Sequence, residues 1–377
     1  MSAKPKSILW LAWKDHAHPQ AGGAEVVLRE FMKRQVADGH RVSLLTARPA
    51  GTKEREMVDG IDVIRVGGNR YTHSMQALWR YVRTLRDRYD VVIETVNTAP
   101  YFSVLFKGRA KRLALTHQLA REIWFHETPR PLSYLGYYVL EPLALKLMSR
   151  SKVPLVTVSE STKKDISRYG WDPNRTHIIS EGIQIKPLAD LSSVQKFEKP
   201  TVLSLGAMRS MKRTLDQVEA FELAKRDLPD LQFKLAGDAT SAYGARVLDR
   251  ISASPYRNDI QYMGRINERD KVALMGRSHL ITVTSVKEGW GLIVTEAASQ
   301  GTPAVVYDVD GLRDSVKDRE TGIITNTNPQ KLAEGVVSLL QDQDAYEELR
   351  TQAWHWSKQI TFDKGYQQFN AILERAA

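Results

Sequence analysis

The amino-acid sequence predicts an α/β protein with two doubly wound, Rossmann-like domains that face a central cleft. The chain has 377 residues, which is enough for two domains of ordinary size. Short apolar runs alternate with amphipathic stretches from end to end, a pattern typical of parallel sheets covered by helices on both faces. The alternation starts again after a polar connector at residues 182–200, so each half has enough strands for its own sheet.

The strands of both sheets are predicted from continuous apolar runs. In the first half these are residues 8–13, 42–46, 62–66, 91–94, 113–116 and 155–159, with amphipathic helices predicted at 24–38 and 74–88. In the second half they are residues 201–207, 233–237, 260–264, 280–284 and 303–308. We therefore expect domains at 1–185 and 186–359. Residues 342–377 contain no strand pattern and predict two helices, of which the last, 360–377, is expected to pack back on the first domain.

Composition limits the chemistry that the chain can use. It contains no cysteine, which excludes disulfides, thiolate metal sites and cysteine nucleophiles. No apolar run is long enough to span a membrane, and the run at 8–13 is too short for the core of a signal peptide. We expect a cytoplasmic protein.

Positive charge is concentrated in the first half. Residues 1–190 contain 30 Lys and Arg against 19 Asp and Glu, a net charge of +11. Residues 191–377 contain 24 Lys and Arg against 25 Asp and Glu, a net charge of −1. Such a bias indicates an anionic partner, for which a membrane surface at the inner face of the cell membrane, a phosphorylated acceptor and nucleic acid are the options. A surface that only promotes solubility is the alternative. Because no aromatic-basic RNA motif is present, nucleic acid is not expected.

The stretch EGWGLIVTEAASQGTP, residues 288–303, contains two acids around the start of a helix. It follows the predicted strand 280–284, and the helix is expected to begin at Leu292 and to stop before Gly301. A helix start attracts phosphate, because its first N–H groups are unpaired. Glu296 and Glu288 would lie on opposite sides of a bound diphosphate. Each would be placed to bind the hydroxyls of one of two sugars. Taken singly, each acid could instead be an ordinary solvated or first-turn acid.

The two acids also form an E-x7-E pattern, which resembles the retaining glycosyltransferases of family four, whose fold is GT-B. Four further stretches agree with this family in the same order: HPQAGGAE (18–25), ADGHRVSLLT (37–46), VTVSESTKKDI (156–166) and GAMRSMKRT (206–214). The resemblance covers nearly the whole chain. It implies an acceptor-binding first domain and a donor-binding second domain.

The resemblance also assigns roles to residues. It implies that His117 and Glu288 are catalytic, with His117 near the transferred sugar; a buried core histidine is the alternative. The donor-binding residues that it implies are Gly22, Gly23, Arg209, Lys212, Arg265, Ile266, Glu288, Gly289, Trp290, Gly291, Leu292, Ile293 and Glu296. Among these, the two cations Arg209 and Lys212 would neutralise the diphosphate that leaves. Gly22 and Gly23 could equally form a plain tight turn.

No metal site is expected. Asp308 and Asp310 form a D-x-D pattern in the loop after a predicted strand, where we interpret them as loop acids. Enzymes of the resembled fold balance the charge of the diphosphate with side chains and a helix end and not with a metal ion. His16 and His18 lack accompanying carboxylates at a ligand spacing. We therefore predict an enzyme that needs no cofactor and takes a UDP- or GDP-sugar as substrate.

The resulting expectation is a retaining hexosyltransferase that acts on a lipid-linked or saccharide acceptor. A sugar-nucleotide epimerase or a phosphorylase of the same fold is one alternative, although no pyridoxal-binding lysine can be located. A module that binds anionic lipid or nucleic acid is another. The basic run 107–112 and the aromatic-rich segment that follows His117 would suit contact with a membrane, but the aromatic residues could also form a helix core.

Overall fold

The computed structural model describes residues 4–19, 21–67, 73–96, 100–106 and 108–375. Gln20 of the predicted glycine loop, Lys107 of the basic run and the last two residues of the predicted tail helix lie outside these ranges. The chain forms two compact units. The first comprises Met1–Arg121, Tyr134–Gly182 and Thr361–Ala377, and the second comprises Glu122–Ser133 and Ile183–Ile360. The segment Glu122–Ser133 joins the second unit, which the sequence pattern did not indicate.

Strands and helices alternate along the first half of the chain. In order they are β1 (Ser7–Leu11), α1 (Gly23–Ala37), β2 (Arg41–Ala47), β3 (Arg55–Val58), β4 (Ile61–Val66), α2 (His73–Arg80), β5 (Val91–Thr95), β6 (Lys111–Leu115), α3 (Ile123–Glu127), α4 (Leu132–Leu135), α5 (Glu141–Ser149), β7 (Leu155–Thr157), α6 (Glu160–Ser167) and β8 (Thr176–Ile178). A π-helical turn at Tyr81–Leu85 extends α2, and another at Gly136–Leu140 joins α4 to α5.

The second half repeats the alternation and ends in helices. In order it contains β9 (Thr201–Leu205), α7 (Thr214–Ala224), β10 (Gln232–Ala236), α8 (Ala242–Ser252), β11 (Ile260–Tyr262), α9 (Glu268–Arg277), β12 (Leu280–Val283), α10 (Leu292–Ser299), β13 (Ala304–Tyr307), α11 (Leu312–Ser315), β14 (Gly322–Thr325), α12 (Pro329–Gln341), α13 (Gln343–Ser357) and α14 (Phe362–Arg375). Over the part of the chain that the structure describes, no helix is both long and apolar enough to cross a bilayer.

Each unit contains one sheet, and the prediction of two parallel-sheet α/β domains is confirmed. Within the described ranges the first sheet has the order β3-β4-β2-β1-β5-β6-β7-β8, in which only the β3–β4 pair is antiparallel. The second has the order β11-β10-β9-β12-β13-β14 with parallel pairs throughout. The strands β3, β8 and β14 were not predicted. They are short and lie at sheet edges, where a continuous apolar run is not required.

Helices cover both faces of the first sheet. On one face, the indole of Trp10 stacks on Phe369 of α14 with ring centroids 5.5 Å apart, and Phe369 lies 5.3 Å from Phe31 of α1. On the other face, Leu11, Glu94, Ala114 and Leu155 are neighbours across β1, β5, β6 and β7. The buried residues of α2 and α5 pack on this second face. Both helices therefore lie on the same side of the sheet, opposite α1 and α14.

Candidate functional site

The second sheet changes direction of winding between β9 and β12. From β9 the chain proceeds outward through β10 and β11, and it then returns to place β12 on the other side of β9. Ligands of doubly wound sheets bind beyond the carboxyl ends of the strands at such a reversal. The loop after β9 carries Arg209 and Lys212, and the loop after β12 carries Glu288. The sequence motifs thus flank the position where this fold binds ligands.

Backbone and hydroxyl hydrogen bonds hold these two loops together. The N–H of Val286 donates to the carbonyl of Met211 over 2.8 Å. The hydroxyl of Thr284 donates to the carbonyl of Lys212, also over 2.8 Å, and itself accepts from the amide of Gln217. Thr284 and Gln217 are buried, so these bonds are shielded from water. The loop that carries Lys212 is therefore fixed against the loop that carries Glu288.

Lys212 and Glu288 form an ion pair. The ammonium of Lys212 donates to Oε1 of Glu288, and the hydroxyl of Ser285 donates to the same oxygen over 2.6 Å. The two side chains are 28% and 16% exposed, so the pair is accessible from solvent on one side. The N–H of Glu288 donates to the carbonyl of Asp310 over 2.9 Å, which fixes its backbone to the loop after β13. The structure brings together one predicted phosphate-binding cation and one predicted sugar-binding acid.

Helix α10 begins beside this pair, at Leu292. Its N-cap is Gly291, whose φ of 91° lies in the left-handed region that favours glycine. A Cβ at Gly291 would also lie 2.8 Å from the Leu312 side chain, so packing within the protein requires this glycine independently of any ligand. The indole N–H of Trp290 donates to the hydroxyl of Thr295 over 3.0 Å. Gly289 is buried, and the first-turn residues Leu292 and Ile293 are partly exposed.

Glu296 pairs with a cation that the sequence analysis did not identify. The ammonium of Lys271 on α9 lies 3.0 Å from Oε2 of Glu296 and 3.1 Å from Oε2 of Glu268. Burial raises the pKa of Glu296, and the charge of Lys271 opposes that shift. Nothing in the sequence near Lys271 indicates this contact, because it joins two helices that flank β12.

Arg209 contacts an acid on α3. Its guanidinium is 47% exposed and lies 3.9 Å from the carboxylate of Glu127 on α3. The ring nitrogen Nδ1 of His126, on the same helix, lies 3.2 Å from the hydroxyl of Ser210. Helix α3 therefore covers the Arg209 end of the loop after β9, whereas Lys212 at the other end faces Glu288.

Arg265 follows β11 and pairs with Asp238, which follows β10. The guanidinium donates to Oδ2 of Asp238 over 2.7 Å, and this bond lowers the pKa of Asp238 to about 2. The two loops are also joined through the N–H of Gly237, which donates to the carbonyl of Gly264 over 2.8 Å. Ile266 packs against the core of the second unit, and Arg265 is largely exposed.

The predicted residues of the first unit follow its central strands. Gly22 is the N-cap of α1, and its N–H donates to the carboxylate of Glu25 over 2.7 Å. Gly23 is the first residue of that helix. The N–H of Gly22 is thus used within the protein. The preceding loop is anchored by Asp15, which accepts from the buried guanidinium of Arg65 over 2.8 Å.

His117 follows β6 and is 6% exposed. Its carbonyl accepts from the hydroxyl of Thr162 over 3.1 Å. Among the residues that the structure describes, neither ring nitrogen has a hydrogen-bond partner, and Nε2 lies 4.0 Å from Oε1 of Glu181, which is 2% exposed. Burial lowers the pKa of His117 to about 4 and raises that of Glu181 to about 8. Glu181 was not singled out from the sequence, where it stands directly before the connector 182–200 and belongs to no motif.

Both acids of the D-x-D pattern form ion pairs with basic side chains of the protein. The guanidinium of Arg313 donates to Asp308 over 2.7 Å and to Asp310 over 2.5 Å. Asp310 also accepts from Lys287 over 2.5 Å. Of the residues that the structure describes, no group of three or more His, Asp or Glu side chains is arranged to hold a metal ion.

Comparison with known proteins agrees with this architecture. Residues 21–186 match the family model described as glycosyltransferase family 4, and residues 190–356 match the one described as glycosyl transferases group 1. The chain is 23% identical over 384 residues to the N-acetyl-alpha-D-glucosaminyl L-malate synthase of Bacillus anthracis, covering 89% of each. It is 27% identical over 166 residues to the poly(glycerol-phosphate) alpha-glucosyltransferase of Bacillus subtilis, where the match covers 44% of this chain and 24% of that protein. It thus spans about a quarter to a half of the length of some curated relatives that it matches.

Solved structures show the same fold at low sequence identity. Sucrose-phosphate synthase from Thermosynechococcus elongatus superposes with a TM-score of 0.79 at 17% identity and 98% coverage of both chains. Anabaena Alr3699/HepE in complex with UDP-glucose superposes with a TM-score of 0.73 at 16% identity, covering 98% of this chain and all of that one. Since the two family models together match most of the sequence, the chain belongs to the group 1, family 4 glycosyltransferases and has the GT-B fold.

Proposed function

We propose that this glycosyltransferase moves a hexosyl unit from a UDP- or GDP-sugar to a lipid-linked or saccharide acceptor, with retention at the anomeric carbon. The products would enter cell-envelope glycan, glycolipid or exopolysaccharide synthesis. The names of its relatives support a sugar as the transferred group, and a neighbour of the same fold was solved with UDP-glucose. The second unit is proposed to bind the donor and the first unit the acceptor.

The observation that carries this proposal is the Lys212–Glu288 pair at the reversal point of the second sheet, next to the start of α10. A diphosphate in this position would meet the partial positive charge of the helix start and the ammonium of Lys212. Glu288 holds that ammonium in place before the anion arrives. Once the diphosphate binds, the carboxylate of Glu288 becomes available to a hydroxyl of the donor sugar.

The transfer is proposed to occur on one face of the sugar. The bond between the anomeric carbon and the diphosphate oxygen breaks, and the acceptor oxygen bonds to the same carbon from the same side. The acceptor proton passes to the leaving phosphate. Lys212 stabilises the negative charge that develops on this phosphate. Arg209 is proposed to contribute a second positive charge, and Glu288 to orient the sugar.

The remaining residues would fix the donor. We propose that His117, which is neutral at neutral pH, donates a hydrogen bond to a hydroxyl of the transferred sugar. Glu296 keeps one carboxylate oxygen outside its contact with Lys271, and this oxygen would accept from a ribose hydroxyl. The loop with Arg265 and Ile266 is proposed to lie near the base, and Gly22 and Gly23 to approach the donor through their backbone.

A donor screen tests the proposal. The protein is incubated with UDP-glucose, UDP-N-acetylglucosamine and GDP-mannose, and release of UDP or GDP is measured together with binding by calorimetry. We expect binding and turnover of at least one donor, and a product whose anomeric configuration by NMR equals that of the donor. Absence of binding to every common nucleotide-sugar would refute the proposal, and an inverted product would refute retention.

A further inference from the structure

Exposed apolar side chains are concentrated in one segment of the first unit. Of the eleven large hydrophobic residues that are markedly exposed within the described ranges, seven lie between residues 134 and 147. They are Tyr134, Leu135, Tyr138, Val139, Leu140, Leu143 and Leu147. A contiguous apolar patch on a protein surface usually marks an interaction site, so this segment is a candidate for one.

The helical geometry places four of these residues along one side. Leu135, Val139, Leu143 and Leu147 follow one another at intervals of four residues and are 46%, 47%, 62% and 38% exposed. Residues four apart lie on the same face of a helix. The opposite side of α5, which includes Leu145, is buried in the core of the first unit. The segment therefore has one apolar face against the sheet and a second one towards solvent.

Helix α2 repeats this arrangement on the same side of the sheet. Met75 and Trp79, four residues apart, are 76% and 57% exposed, whereas Ala77 and Tyr81 are buried. The strand register shows that α2 and α5 cover one face of the first sheet, because Leu11, Glu94, Ala114 and Leu155 form one row of neighbours beneath them. We call Met75, Trp79, Leu135, Val139, Leu143 and Leu147 the outer apolar surface.

The exposed charged side chains in the segment 132–152 are cations. Lys146, Arg150 and Lys152 are exposed in the segment 132–152. Its one acid is Glu141, which is buried and accepts from the N–H of Ala120 over 2.7 Å. On α2, the guanidinium of Arg83 lies 5.1 Å from the centre of the Trp79 ring. In the segment 132–152 the exposed charged groups beside the apolar face are therefore positive, as on helices that lie in the headgroup region of a bilayer, whereas the π-helical turn that extends α2 is followed by the exposed acid Asp87.

We propose that the outer apolar surface docks on the surface of an anionic phospholipid bilayer. The apolar side chains would enter the boundary between headgroups and acyl chains, and Lys146, Arg150 and Lys152 would contact anionic headgroups. A second copy of the chain suits the surface less well. In a symmetric dimer the same patch faces itself, so Lys146, Arg150 and Lys152 would approach their own copies, and the segment 132–152 has no exposed acid to compensate them. Binding to the bilayer requires no nucleotide-sugar, so it is independent of the proposed transfer.

Vesicle cosedimentation of the full chain, without a donor sugar, tests this inference. Wild type is expected to bind vesicles of phosphatidylcholine mixed with phosphatidylglycerol, to bind pure phosphatidylcholine at least about tenfold more weakly, and to be released as salt rises. The double variant L143S/L147S should lower the partition constant at least about tenfold, because apolar burial supplies much of the binding free energy. K146Q and R150Q should each lower it about fivefold.

Matched substitutions elsewhere in the first unit complete the test. M57S removes an exposed apolar side chain from β3, and K364Q removes an exposed cation from α14, on the opposite face of the sheet; both should bind as wild type does. Failure of wild type to bind the anionic vesicles would overturn the inference. So would equal loss in M57S and L143S/L147S. Light scattering that shows a dimer of wild type, which L143S/L147S dissociates, would assign the surface to self-association instead.

Discussion

Nε2 of His117 and Oε1 of Glu181 lie 4.0 Å apart in the interior of the first unit. Both groups are buried, and within the described part of the chain neither ring nitrogen of His117 nor Oε2 of Glu181 has a hydrogen-bond partner. Burial disfavours the charged form of each, which lowers the pKa of the histidine to about 4 and raises that of the glutamate to about 8. Between these values the pair is neutral.

The neutrality of Glu181 predicts a stability difference that depends on pH. In the unfolded chain its carboxyl titrates near 4.5, so between about pH 4.5 and 8 the folded state retains a proton that the unfolded state has lost, and the free energy of unfolding falls as the pH rises. Glu181→Gln has no such proton. We expect this variant to match wild type near pH 5 and to exceed its free energy of unfolding by about 3 kcal/mol near pH 8.

Denaturant titrations at both pH values measure this difference. The matched control is Glu54→Gln, an exposed carboxyl in the same unit, which should follow wild type at each pH. If wild type and Glu181→Gln lost stability in parallel between the two pH values, the buried carboxyl would not be the cause.

Removing the acid of the Lys212–Glu288 pair should affect turnover more than donor binding. In Glu288→Gln the side chain keeps its size and one oxygen acceptor, but it loses the negative charge that positions Lys212 and the sugar. We expect kcat to fall about a hundredfold or more, with the dissociation constant of the nucleotide-sugar changed less than about threefold. Glu334→Gln, whose carboxylate pairs with Lys331 over 2.7 Å on the surface of the same unit, is the control. A large loss of donor affinity would instead make Glu288 a binding residue.

Removing the cation of this pair should weaken both binding and turnover. Lys212→Ala deletes the charge that we place against the diphosphate. Hydrogen bonds to charged groups contribute about 1.5–3 kcal/mol, so calorimetry should show UDP or GDP binding about 10- to 100-fold weaker, and kcat should fall as well. Lys331→Ala is the matched control. Unchanged nucleotide affinity in Lys212→Ala would place the diphosphate elsewhere.

The acids of the D-x-D pattern should contribute to the stability of the folded protein. They should not bind a metal ion that turnover requires. Asp310 accepts from Arg313 and from Lys287, which is 3% exposed. Asp310→Asn removes the negative charge that accepts from Lys287 and Arg313, and we expect the free energy of unfolding to fall by about 2–3 kcal/mol. Chelation of divalent ions with EDTA should leave the turnover of wild type unchanged. Loss of turnover that added Mg²⁺ or Mn²⁺ restores would contradict this expectation.

The last helix should be essential for the first unit. Phe369 is fully buried and stacks on Trp10, near Phe31. Phe369→Ala removes an aromatic ring from this core, and such changes cost about 3–5 kcal/mol in free energy of unfolding. Gln367→Ala, an exposed position on the same helix, should change stability by less than about 0.5 kcal/mol. Equal denaturation midpoints for the two variants would show that α14 contributes little.

Hydrophobic patterning predicts the central strands well, because a buried parallel strand must be apolar along its whole length. The runs at 8–13, 42–46 and 280–284 correspond to β1, β2 and β12, and the predicted helix at 292–300 corresponds to α10. Hydrophobic patterning did not predict the edge strands β3, β8 and β14. In β3, for example, exposed and partly buried residues alternate, so no continuous apolar run marks it.

The sequence by itself determined the fold class, the family motifs and the positions of the loops that carry Lys212 and Glu288. These follow from local order along the chain: strand, loop and helix start within a few residues. Only the tertiary structure decided which charges meet. It pairs Lys212 with Glu288, Lys271 with Glu296, Asp15 with Arg65, and it places Glu181 beside His117. Each of these contacts joins elements that are separate in sequence. Lys212 and Glu288 meet, as do His117 and Glu181, because parallel strands bring the segments that follow them to one edge of a sheet. Lys271 and Glu296 meet because helices α9 and α10 pack together, and Arg65 reaches Asp15 from within β4.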